Sequence, residues 1–181
     1  MPGGGKSTVG RHLSRRLGTS FVDTDAVIEH RIGRSIRTFF EQEGEAQFRD
    51  IESTALGDLV AAGHGVVATG GGIILRDVNR QLLRERTVCV YLRSSPEELF
   101  RRLRHDSKRP LLQVTDPMAR LRELFATRDP LYLDASHFVI ETGRPSVPTL
   151  VNMILMQLEL AGAIDPDGVP SQVDGPRPAA Y

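Results

Sequence analysis

The residues with the clearest chemical purpose stand at the very start. Gly3-Gly4-Gly5-Lys6-Ser7-Thr8 reads as the back half of G-x-x-x-x-G-K-[ST], a loop that wraps a polyphosphate. Glycines let successive backbone N–H groups converge on phosphate oxygens, and the helix that follows adds the positive end of its dipole. In such a loop Lys6 reaches the β- and γ-phosphates and the Ser7 hydroxyl ligates Mg²⁺. Met1 falls at the second position of the motif. Its first glycine and the apolar strand that feeds the loop are therefore expected upstream, in a longer protein. A chance Gly-Lys-Ser-Thr is the competing reading. Against it, Val9, Leu13 and Leu17 recur at i, i+4 and i+8 directly afterwards, and Gly18 supplies a stop.

Other residues suit the acceptor side of a phosphotransfer. Asp23-Thr24-Asp25 follows the short apolar Phe21-Val22, at a strand's carboxyl end, where open α/β sheets bind ligands. One carboxylate can serve Mg²⁺ and the other an attacking hydroxyl. The plainer alternative makes Asp25 the cap of a helix beginning at Ala26. Arg49 and Glu52 are i, i+3 neighbours beside a buried helical stripe, which a surface ion pair would also explain. Thr69-Gly70-Gly71-Gly72 follows Val66-Val67-Ala68 and offers a small ligand bare backbone. The polar stretch His105 to Pro110 has no periodicity and suits a lid, with Arg109 as the cation it delivers. Arg128-Asp129-Pro130-Leu131-Tyr132 is expected to end a helix, whose dipole Arg128 would offset.

Short apolar strands alternating with helical patterns position these residues, the signature of an α/β fold with a parallel sheet. Strands are expected at Phe21-Val22, Val66–Ala68, Val88–Leu92 and Phe138–Ile140. Helices are expected at about 45–62, from a Ser95-Pro96-Glu97-Glu98 capping box, at about 117–127 and at about 148–160. Residues 1–161 read as one domain with a lid at about 105–116, and 162–181, rich in Pro, Gly, Asp and Ser, as a disordered tail. With 23 basic and 23 acidic residues the formal charge is zero, which argues against a broad nucleic-acid face. No apolar run reaches the roughly 18 residues of a membrane span. The single cysteine, Cys89, lies in an apolar run and reads as a buried strand residue, so no disulfide framework exists. The scattered His12, His30, His64, His105 and His137 lack zinc-ligand spacing. The expectation is a soluble cytoplasmic protein.

In order and spacing, G-K-S-T, D-T-D, F-R-x-x-E, G-G-G, R-P-L-L and R-x-P-L-Y resemble the shikimate kinase family from Met1 to about Leu160. These are small kinases of the nucleoside monophosphate kinase structural group. The resemblance implies transfer of the ATP γ-phosphate to the 3-hydroxyl of shikimate, on the route to chorismate. It implies a three-layer fold with five parallel strands in the order 2-3-1-4-5, the first of them not in this chain. Gly3, Gly4, Gly5, Lys6, Ser7 and Thr8 would hold ATP, with Ser7 and Asp23 on Mg²⁺. Asp25 would bind the shikimate hydroxyls and act as base. Arg49 and Arg128 would pair with the shikimate carboxylate, a natural match for guanidinium. Gly70, Gly71 and Gly72 would pack on the ring, and Glu52 would orient Arg49 or the metal's water shell. Lys6, Arg109, Arg102 and Arg144 would act on the nucleotide side. A monomer with ATP and shikimate as its ligands is implied. Gluconate kinase, adenylate kinase and a non-catalytic ligand-binding domain are the alternatives. The first two share the loop and lid; a regulator would be expected to lack the acidic pair.

Overall fold

The computed structural model describes residues 1, 3–63, 65–103, 114 and 116–165. In chain order the elements are α1 (Lys6–Arg16), β1 (Phe21–Asp23), α2 (Thr24–Ile32), α3 (Ile36–Ala61) and β2 (Val66–Ala68). A single 3-10 turn, Ile73–Leu75, precedes α4 (Asp77–Arg86). Then come β3 (Val90–Arg93), α5 (Pro96–Leu103), α6 (Pro117–Ala135), β4 (Phe138–Glu141) and α7 (Val147–Leu160).

Both strand pairs are parallel. Phe21, Val22 and Asp23 lie opposite Val66, Val67 and Ala68, so Asp23 and the start of the glycine run emerge at the same rim. Val90 to Arg93 lie opposite Phe138 to Glu141. Side chains alternate across a strand, and β3 shows the result. Tyr91 enters a core with Leu56, Leu83, Leu99, Leu121 and Tyr132, while Leu92 enters a second core with Val9, Leu13, Ile140 and α7. Helices thus cover both faces, giving the three layers of the α/β class. Ile28, Phe39, Phe48 and Ala55 form a smaller core between α2 and α3.

Among the described residues β1–β2 and β3–β4 remain two separate pairs. Between β2 and β3 runs a largely apolar slot of about 450 Å³, lined by Val66–Ala68, Val88–Val90, Leu13 and Ile154. The two pairs correspond to the 2-3 and 4-5 neighbours of the implied five-strand order, with the slot at the central position.

Local signals explain most boundaries. Ser95 N–H donates to Glu98 Oε2 at 3.0 Å and Glu98 N–H to Ser95 Oγ at 3.2 Å, which is the expected capping box on α5. Three expectations need correction. Helix α3 begins at Ile36, well before residue 45, and turns at Gly44, whose φ of 84° lets two helical stretches join. Strand β3 starts two residues late, at Val90, because Val88 is 45% exposed and lies outside the pairing. Helix α6 continues through Pro130 to Ala135 rather than ending near residue 127. Proline there removes one helical hydrogen bond, but Asp129, Tyr132 and Ala135 are all buried and hold the last turns in place.

Candidate active site

The amino end of α1 is shaped for an anion. Gly5 caps it at φ 78°, a left-handed conformation that suits glycine. No side chain caps this helix and no acidic residue sits in its first turn, which leaves its first N–H groups without a side-chain cap. Lys6 Nζ donates to the Met1 carbonyl at 2.9 Å, which keeps the ammonium at the loop.

Ser7 Oγ donates to Asp23 Oδ2 at 2.6 Å, joining the phosphate loop to the end of β1. Asp23 is also the cap of α2, its Oδ1 accepting from the Asp25 N–H at 3.1 Å. The capping role considered for Asp25 therefore falls on Asp23, because the chain is already helical at Thr24. Asp25 lies in the first turn instead, against the glycine run. A Cβ at Gly70 would stand 2.6 Å from Asp25 Oδ1 and 3.0 Å from Glu52 Oε1, so a larger residue would displace the acids. The Gly70 N–H donates to Thr24 Oγ1 at 2.9 Å, which ties the glycine run to α2.

Glu52 is 2% exposed on α3 and accepts from Arg49 Nη1 at 2.6 Å. The rest of the Arg49 guanidinium is held by Glu45, at 3.2 Å to Nε and 2.8 Å to Nη2, and lies over the Phe48 ring at 5.4 Å. Burial pushes the Glu52 carboxyl above its usual range. The Arg49 hydrogen bond and charge oppose this, the Asp25 charge adds to it and the Arg128 charge opposes it. Asp25, Arg49 and Arg128 thus all act on one buried acid.

Across the glycine run, Arg128 Nη1 and the Tyr132 hydroxyl both donate to the Gly71 carbonyl, at 3.3 and 2.7 Å. Burial first, against the opposing Arg128 charge, pushes the Tyr132 hydroxyl up to about 12, so it remains a donor at neutral pH. On the other flank, Arg102 donates to Ser94 Oγ and Thr142 Oγ1 at 3.2 Å each and to the Thr142 carbonyl. Arg144 is exposed in the turn after β4. Residues 105–113 and 115 of the expected lid, Arg109 among them, lie outside the described residues, as does the tail from 166.

The structure therefore gathers Asp25, Arg49, Glu52, Gly70 and Gly72 in direct contact, with Arg128 near enough to act on Glu52, and joins Ser7 to Asp23 beside them. Sequence reading gave no role to Thr24, Glu45 or Tyr132. Two of these had a signal: Glu45 is four residues from Arg49, and Tyr132 four from Arg128, so each pair shares a helix face. Among the described residues no cluster of three or more His, Cys, Asp or Glu could hold a metal alone. The pair Ser7 and Asp23 fits Mg²⁺, whose shell is commonly completed by phosphate oxygens and water.

A G-K-S-T loop opening the first helix, a parallel α/β scaffold and acids and arginines gathered at the glycine run are the features of a small-molecule kinase of the P-loop class. Residues 2–159 match the shikimate kinase family model. The chain is 59% identical over 169 residues to a shikimate kinase of Paracidovorax citrulli, covering 92% of each. It is 54% identical to that of Ralstonia nicotianae, over 94% of this chain and 90% of the relative. Its fold is similar to shikimate kinase from Acinetobacter baumannii in complex with shikimate, with TM-score 0.82, 43% identity and 90% of each chain covered. The chain belongs to the shikimate kinase family, and is a phosphotransferase with ATP as co-substrate.

Proposed function

We propose that this protein transfers the γ-phosphate of ATP to the 3-hydroxyl of shikimate, giving shikimate 3-phosphate, with Asp25 as base. The observation that carries the assignment is the convergence at the glycine run, where bare backbone at Gly70 abuts Asp25 and Glu52, and at Gly72 abuts Arg49. A polyhydroxylated ring carboxylate fits this set. Its carboxylate takes Arg49 and Arg128, its face lies on Gly70, Gly71 and Gly72, and a hydroxyl meets Asp25.

Asp25 sits two residues from Asp23, which touches Ser7, so the attacking oxygen is held beside the phosphate loop. Gly3, Gly4, Gly5, Lys6, Ser7 and Thr8 bind the ATP phosphates, and Arg102 and Arg144 the nucleoside side. Lys6 and Arg109 neutralise charge on the phosphoryl group in transfer. Ser7 and Asp23 would hold Mg²⁺, which when bound offsets phosphate charge. Residues 1–161 would make up the domain with its lid at about 105–116, and the described residues just beyond it still belong to the fold, since Ile164 packs on the core beneath α7. The protein works as a cytoplasmic monomer on small molecules alone. No described helix is long and apolar enough to cross a membrane.

A coupled assay of ADP release against an acceptor panel tests this. Turnover should require shikimate and stay at background with gluconate or AMP. Equal or greater turnover with either of those would overturn it.

A further inference from the structure

The last turns of α6 carry a buried polar network beyond the acceptor pocket. Asp129 is 7% exposed. It accepts from the Tyr91 hydroxyl at 2.9 Å and from Arg93 Nε and Nη2 at 2.9 and 2.8 Å. Burial alone would raise its pKa, but these donors outweigh it and hold the carboxyl below its usual range. The Tyr91 ring stacks on Tyr132, with centroids 4.7 Å apart and planes 17° apart, and Tyr132 in turn holds the Gly71 carbonyl.

Two features make this grip informative. Arg128 and Tyr132 share one helix face at i, i+4, while Asp129, next to Arg128, projects about 100° round the axis. The helix is therefore held on two sides, by β3 through Asp129 and by Gly71 through Tyr132. Pro130 also lies inside α6, and its missing N–H weakens the turn that carries Arg128. Tertiary contacts must then set the rotation of that turn.

We propose that Asp129, clamped by Tyr91 and Arg93, is a positioning residue that sets the rotation of α6 and so aims Arg128 at the acceptor carboxylate. This rests on the reading above that Arg128 binds that carboxylate.

The test is calorimetry with shikimate, and separately with MgATP, on the full chain carrying Asp129→Asn, Tyr91→Phe, Arg128→Ala, or Asp129→Asn with Arg128→Ala. Asp129→Asn should weaken shikimate binding about tenfold and Tyr91→Phe about threefold, with MgATP affinity within about twofold. Because Asp129 acts through Arg128, the double variant should bind shikimate no more weakly than Arg128→Ala alone. Unchanged shikimate affinity in both Asp129→Asn and Tyr91→Phe would overturn the proposal. So would equal losses for both ligands, or losses that add in the double variant. Should Asp129→Asn not fold, Tyr91→Phe, which keeps the ring stack, decides by the same criteria. An Arg128→Ala variant with normal shikimate affinity would remove the acceptor reading and this proposal with it. Loss in Arg128→Ala with none in the other two would remove this proposal alone.

Discussion

Replacing Gly72 by alanine perturbs the proposed acceptor site through a single methyl group. Gly72 has φ −96° and ψ −6°, a negative-φ turn conformation open to residues other than glycine, so the backbone does not itself forbid the change. The added Cβ would stand 2.6 Å from Arg49 Nη2, with Nη1 and Cζ nearer still. Ordinary contact begins near 3.4 Å, so the guanidinium must withdraw by about 1 Å or more. A displacement of that size can cost about 100-fold in a positioned interaction. Losing one arm of a desolvated carboxylate pair costs about 2–5 kcal/mol. Arg49 is a flexible side chain and can recover part of this, so the lower end applies, about 2–3 kcal/mol, or about 30- to 150-fold in shikimate Kd. The phosphate loop is untouched, and MgATP affinity should change by less than about twofold. Calorimetry with each ligand, beside a thermal melt, reads both effects. Shikimate affinity within threefold of wild type in a folded variant would show that the Arg49 position does not govern acceptor binding.

Asp25→Asn keeps the shape but removes the proposed base, and should lower kcat about 100-fold or more with MgATP affinity nearly unchanged; steady-state kinetics and calorimetry check this. Glu52 has a folded-state pKa above its ordinary value, so its contribution to stability is greatest below the usual carboxylate pKa and is lost as pH rises through the raised one. Without ligands, wild type should therefore lose stability relative to Glu52→Gln as pH rises from about 4 to 7, measured by urea melts; the opposite trend would contradict the burial argument. Burial pushes the Cys89 thiol up to about 11, so alkylation by iodoacetamide near pH 7.5 should be slow in the native protein and fast in denaturant, read by mass spectrometry.

Local chemistry was legible in the sequence where a residue's partner lies within a turn or two. The Ser95–Glu98 box, the Arg49–Glu52 pair and the stop at Gly18 all involve neighbours three or four positions away or a single backbone conformation. The loop and the Asp23-Thr24-Asp25 run were legible because phosphate and acceptor chemistry demand those residue types at a strand end. Long-range contacts left no such mark. The Thr24 hydroxyl meets Gly70 across 46 positions, and Asp129 meets Tyr91 across 38. Helix α4 went unread because DVNRQLLRER is mostly polar and lacks a side-chain cap, and its inner face shows only Asn79 and Leu83 buried. Pro130 reads as a stop on local grounds, and only the burial of Asp129 and Tyr132 carries the helix past it.

Phosphorus NMR of a reaction mixture containing the protein, MgATP and shikimate tests the central claim most directly. The account predicts loss of the ATP γ signal in step with a new phosphomonoester, coupled to the proton on carbon 3 of shikimate and absent without the acceptor. Phosphate appearing on another hydroxyl, or only as inorganic phosphate released to water, would contradict it.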